Sequence, residues 1–267
     1  MRVPVLLAAA LVAALAAAPA GAASKPAKKP AAAASGPDLK FSNAQEYGAC
    51  MALARKSPGD GFESALAWQA RGGGEAAEHC AAVALIESGE TAEGAKRMEA
   101  LGTKMAPAQP ALAAEILAQA GQAWLIAGDN KRAYAVQTAA LKLAPKDVDL
   151  LVDRAVTLGQ AKNYWEAIDD LNRAHDLAPN RADVLVYRGS AYRFVDSQEL
   201  AIQDLDEAIQ LDDRNPEAFL ERGILRRLAN DNDGARRDWL RVVTLAPGTP
   251  TAEAAQKDLE MLDLKAQ

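Results

Sequence analysis

Three stretches decide the fold: DLLVDRAVTLGQAKNYWEAIDDLNRAHDLAP (149–179), DVLVYRGSAYRFVDSQELAIQDLDEAIQLDD (183–213) and EAFLERGILRRLANDNDGARRDWLRVVTLAP (217–247). They superpose at a period of 34 residues, and Glu115–Pro145 fits the same frame with a few departures. One position carries Ala133, Ala167, Ala201 and Ala235; another carries Gly121, Ala155, Gly189 and Gly223. A third holds Ala140, Ala174, Ala208 and Val242, and the unit ends on Pro145, Pro179, Asp213 and Pro247. Small residues recurring at this period mark an array of helix–turn–helix units, each stacked on its neighbours. The first helix of each unit spaces large apolar residues seven apart, as in Leu117/Trp124, Leu151/Leu158 and Leu185/Tyr192. The second carries Leu171, Leu205 or Trp239, with Leu177, Leu211 and Leu245 near its end. The small residues fall where the two helices cross most closely, and the recurrent proline stops the second helix.

Outward from the array the chain is less regular. Residues 38–110 read as irregular helices: Asn43–Lys56 and Phe62–Arg71, broken by Ser57-Pro58-Gly59, then a hairpin Gly74–Ser88 and Thr91–Thr103. That hairpin is a degenerate repeat, with Ala82 where Gly121 stands and Gly89 where Gly128 stands. Met105–Pro110, with two prolines, interrupts the stacking before the four units of 114–249. Residues 251–265 place Ala255, Leu259 and Leu262 on one helical face, and are expected to form a capping helix.

Residues 1–22 read as a cleaved signal peptide: Arg2, an apolar run from Val3 to Ala18, then Ala20-Gly21-Ala22. The rival reading, an uncleaved membrane helix, is disfavoured by the short, alanine-rich span. Residues 23–37, with Lys25, Lys28, Lys29 and several prolines, read as a disordered tether. The expected address is the bacterial periplasm. Setting Arg2 and those lysines aside leaves 26 basic residues against 36 acidic, an acidic body unsuited to nucleic acid. The basic tether is the one segment suited to contact with an anionic membrane surface, and a solvated linker is the preferred reading of it.

Cys50 and Cys80 are the only cysteines, and His79 and His175 the only histidines. An oxidising compartment makes Cys50–Cys80 a disulfide candidate. Too few Cys and His exist for a structural zinc site, so neither metal nor cofactor is expected. His79 adjoins Cys80, but neighbours on a helix point about 100° apart and nothing orients them as a nucleophile and base. No phosphate loop, nucleophile elbow or His-Glu-x-x-His is present, so no catalytic residue is assigned and the chain is read as a non-enzyme.

Arg154, Arg188 and Arg222 recur at one position and Asp170, Asp204 and Asp238 at another; Ala120 and Val136 replace both in the first unit. Their joint presence or absence implies structural ion pairs bridging the two helices of a unit. An anion-binding ladder of arginines would not require the matched aspartates.

These residues resemble the tetratricopeptide repeat family over 114–249, departing from it at Gln137, Asp213 and Arg226. The resemblance implies an all-α, right-handed superhelical solenoid of antiparallel helix pairs. It also implies a concave groove lined by first helices. In this sequence the groove residues are Val152, Val156, Val186, Tyr187, Ser190, Arg193, Phe194, Leu220, Ile224 and Arg227, with Ala118 and Gln122 in the first unit. Asp149, Asp153, Asp183, Glu217 and Glu221 form an acidic rim. The implied role is a non-catalytic scaffold in the cell envelope, its groove taking a partner's peptide or helix with apolar anchors and a basic flank. The alternatives are a structural spacer, and an enzyme built on the irregular 38–110 region.

Overall fold

A computed structural model describes residues 43–265; the expected signal peptide and tether lie outside them. The described residues form thirteen helices and no strands. They fall into two compact units that divide between Pro179 and Asn180.

The first unit contains α1 (Ala44–Lys56), α2 (Pro58–Ala70), α3 (Gly74–Ser88), α4 (Thr91–Met105), α5 (Pro110–Ile126), α6 (Asn130–Leu143), α7 (Val148–Gln160) and α8 (Tyr164–Leu177). From α2 onward each helix packs on the next, and α1 packs on both α2 and α3. The break expected at Ser57-Pro58-Gly59 narrows to Ser57 alone: Pro58 opens α2 at its first turn, where a missing N–H costs nothing. Pro110 opens α5 in the same way. The second unit contains α9 (Ala182–Phe194), α10 (Gln198–Leu211), α11 (Pro216–Leu228), α12 (Asn232–Leu245) and α13 (Pro250–Lys265).

The period is written into the backbone. The turn between the two helices of a unit puts Gly128, Lys162, Asp196 and Asn230, at the same place in each, into the left-handed region with φ of 81, 63, 58 and 63°. Glycine, aspartate and asparagine tolerate this conformation best. Side chains of Asp129, Asp147, Asn215 and Asp231 then accept backbone N–H bonds at four helix starts, worth about 1 kcal/mol each.

The small positions are crossings. A Cβ on Gly121 would lie 2.6 Å from Gln137 Cγ, on Gly189 3.0 Å from Leu205 Cγ, and on Gly223 2.4 Å from Trp239 Nε1. The indole of Trp239 is fully buried and donates to the Leu220 carbonyl at 3.3 Å. Gln137, standing where an apolar residue is usual, is also fully buried; its Nε2 donates to the Asp153 carbonyl.

α13 is half of a further repeat. Thr251 Oγ1 donates to Glu217 Oε1 at 3.1 Å, 34 residues apart, which sets α13 beside α11 in register. In that register Glu253 follows Leu185 and Phe219, Lys257 follows Gly189 and Gly223, and Glu260 follows Tyr192 and Arg226. The face that would receive another second helix is therefore charged and exposed, while Ala252, Ala255 and Leu262 are buried. This ends the array. The triple change Glu253→Leu, Lys257→Ala, Glu260→Tyr restores a repeat-like docking face. It should self-associate in light scattering coupled to size exclusion, where the parent sequence stays unchanged.

Candidate partner-binding face

In the second unit α9, α11 and α13 stand side by side, α11 contacting both of its neighbours. Residues at equivalent places of these three first helices share one face. Burial redistributes the expected groove. Val152, Val156, Val186, Ser190 and Leu220 are buried, with Leu220 only 1% exposed, so none of these five is available to a partner. The reason is lateral packing: Val186 belongs to one apolar cluster with Ala218 and Leu225 of the next first helix. A row that looks like groove along one helix is the seam between two.

Arg193 is also committed. Its Nε donates to Glu221 Oε2 at 2.8 Å, joining α9 to α11, and its guanidinium lies 4.1 Å from the Phe194 ring centroid. Glu221 is fully buried, so the acidic rim expected there is an internal ion pair. The other rim acids are engaged too: Asp183 with Arg181, Glu217 with Thr251, and, in the first unit, Asp153 with Gln122 at 2.9 Å. Tyr187, Phe194, Ile224 and Arg227 remain partly accessible, and Leu228 is 55% exposed. Asp258 of α13 joins them, half-buried. The sequence pattern gives it no prominence, because a capping helix is expected there and only the register with α11 shows α13 to be a further first helix.

Burial pushes the Asp258 carboxyl above its usual range, against the opposing pull of Arg227 and Lys257. Burial likewise raises Glu217, opposed by its backbone N–H and Thr251.

The arginine–aspartate pairs lie away from this face, between helices. Arg154 donates Nε and Nη2 to Asp170 at 2.7 Å each. Arg188 does so to Asp204 at 2.8 Å each, and Arg222 to Asp238 at 2.9 and 2.8 Å. These forks hold Arg154 and Arg188 above the ordinary guanidinium value, their hydrogen bonds being the largest cause. Each remaining Nη1 that reaches the preceding second helix adds a tie: Arg154 to Thr138 at 3.1 Å, and Arg222 to Asp206 at 2.7 Å. Arg226, where an aromatic or leucine is usual, adds a third bond to Asp238 at 2.8 Å.

In the first unit Cys50 and Cys80 form a disulfide between α1 and α3, with Cα atoms 6.2 Å apart. His79 beside it is buried and structural in its contacts. Its Nε2–H donates to Gln119 Oε1, and its Nδ1 accepts from the Tyr47 hydroxyl, both at 3.0 Å. Burial, helped by Arg55 and opposed by the Gln119 bond, lowers its pKa to about 4 from 6.5. The unfolded chain therefore binds this proton between those values while the folded chain does not. Stability from this group is complete above about pH 6.5 and falls with pH towards 4, by up to about 3 kcal/mol. Chemical-unfolding midpoints across that window should slope less in His79→Gln than in the parent chain. Equal slopes would remove His79 as the source.

Among the described residues no cluster of His, Cys, Asp or Glu is placed to hold a metal, and no helix is long and apolar enough to cross a membrane.

No family model matches the sequence, and no curated protein matches it. Solved structures do. A tetratricopeptide repeat protein from Parabacteroides merdae is 19% identical with a TM-score of 0.58, covering 83% of this chain and 75% of that one. MamA from Desulfovibrio magneticus RS-1, residue 41 to its end, is 22% identical at 0.54, covering 63% and 93%. YrrB, described as a TPR protein with an unusual peptide-binding site, is 18% identical at 0.52, covering 72% and 96%. With its periodic left-handed turns, small-residue crossings and these neighbours, the chain has the tetratricopeptide-repeat fold.

Proposed function

We propose that this chain is a non-catalytic protein-interaction scaffold of the bacterial cell envelope, exported to the periplasm, that binds a partner segment on the first-helix face of its second unit. The observation that carries the reading is the mixed surface of Tyr187, Phe194, Ile224, Arg227 and Leu228 on adjacent helices. Aromatic and apolar side chains held half-open by a rigid layer are what peptide-recognising surfaces use. The neighbours support a protein partner: YrrB is described by its peptide-binding site. The Cys50–Cys80 disulfide supports an oxidising compartment.

Affinity capture from envelope extracts tests the face. Val186→Glu or Leu220→Glu would bury a charge and unfold the layer, so the informative change is Ile224→Ser with Leu228→Asp. The double variant should keep its helical spectrum and lose a partner that the parent retains. Retention of every partner by the folded variant would leave the spacer reading standing. Export is tested separately, by the mature N-terminus of protein recovered from the periplasmic fraction.

A further inference from the structure

The first-helix face of the second unit carries two couples of opposite charge, and they differ. Arg193 and Glu221 are hydrogen-bonded, and Glu221 is sealed from solvent. Arg227 on α11 and Asp258 on the neighbouring α13 are half-buried; the Asp258 carboxyl feels the charge of Arg227 and Lys257 and, less strongly, of Glu221 and Arg193. Among the described residues, neither side chain has a hydrogen-bond partner. By register, Asp258 stands where Ile224 stands one repeat earlier, and Arg227 where Arg193 stands, so donor and acceptor share the face with Phe194 and Ile224.

This arrangement selects on charge. A cationic ligand drawn to Asp258 meets Arg227, and an anionic one drawn to Arg227 meets Asp258; each attraction is offset at similar range. A neutral amide meets no such penalty. It offers one C=O and one N–H together, the complement of a guanidinium beside a carboxylate. Bonds to charged groups are also the stronger kind. We propose that the face binds an extended, uncharged, apolar segment of a partner protein. An amide of that segment, main-chain or from Asn or Gln, is held between Arg227 and Asp258, while adjacent apolar side chains lie on Phe194, Ile224 and Leu228. This rests on the reading of the same face as the partner-binding surface. It replaces the basic-flanked ligand expected from an acidic rim, since those acids are already engaged.

The probe is a phage-displayed library of random short peptides, selected on the mature chain, with recovered peptides measured by fluorescence anisotropy. Recovered sequences should be apolar and free of net charge. Their affinity should change by less than about threefold between about 0.05 and 0.5 M salt, because little net charge is neutralised. Arg227→Met and Asp258→Leu should each weaken binding about tenfold, the loss of one charge-assisted bond. The exchanged pair Arg227→Asp with Asp258→Arg should recover part of it, and the unfolding midpoints of both single variants should stay at the parent's value, which a merely structural role would lower. Peptides rich in Lys and Arg, or in Asp and Glu, with steep salt dependence would overturn the neutral-segment inference while leaving the face as a binding surface. If no recovered peptide loses affinity in the folded variant Phe194→Ser with Leu228→Ser, the reading of the face itself falls, and this inference with it.

Discussion

Replacing Asp238 with alanine is expected to destabilise the second unit by about 3–5 kcal/mol, the cost of removing one partner from a buried ion pair. Asp238 is 3% exposed and accepts from Arg222 Nε and Nη2 and from Arg226 Nη1. Alanine strips a carboxylate from two guanidiniums at once. Asp204 is less exposed to this loss, since it accepts from one guanidinium, that of Arg188. Asp204→Ala should therefore cost less than Asp238→Ala. Removing all three charges, as in Arg222→Met with Arg226→Met and Asp238→Leu, should be milder than Asp238→Ala alone, because neither guanidinium is then left facing a lost carboxylate. Urea unfolding followed by circular dichroism gives all three comparisons. A loss below about 1 kcal/mol for Asp238→Ala would place it with surface pairs and contradict its role as the fastening of the last full repeat.

Reducing the Cys50–Cys80 bond is expected to cost about 3–4 kcal/mol, by the chain-entropy estimate for a loop of this length. The bond spans 30 residues and ties α1 to α3 within a cluster containing Ala54, Ala65 and Trp68. α2 lies inside the closed loop, so the loss should appear first as opening of α1 and α2. Repeat proteins open locally because each element rests on its neighbours. Hydrogen exchange on Cys50→Ala with Cys80→Ala should show lost protection over 44–70 and little change over 182–245. Uniform loss across both units would contradict this local account.

Much of the fold was legible because repetition averages out noise. One glycine is ambiguous; Gly121, Gly189 and Gly223 at one place mark a crossing, and each faces Gln137, Leu205 or Trp239 in the structure. The arginine–aspartate forks were legible for the same reason, since both members vanish together in the repeat at 115–145, where Ala120 and Val136 stand. The open face was not. Periodicity places Val186 and Leu220 on equivalent positions but says nothing of how deeply neighbouring first helices interlock, and that depth buries both. Arg193 and Glu221 are 28 residues apart, a pairing that belongs to a single pair of helices and recurs nowhere in the ladder. The Tyr47–His79–Gln119 chain lies where the region is least regular, with no second copy to reveal it.

The central claim is that the first-helix face of the second unit is where a partner binds. Site-specific photo-crosslinking in the native compartment tests it most directly, with the photoreactive residue at Leu228 on that face or at Leu240 on α12, which is 52% exposed. The account predicts a discrete crosslinked protein from Leu228 and none of that size from Leu240. A crosslink from Leu240 alone, or the same product from both, would contradict it.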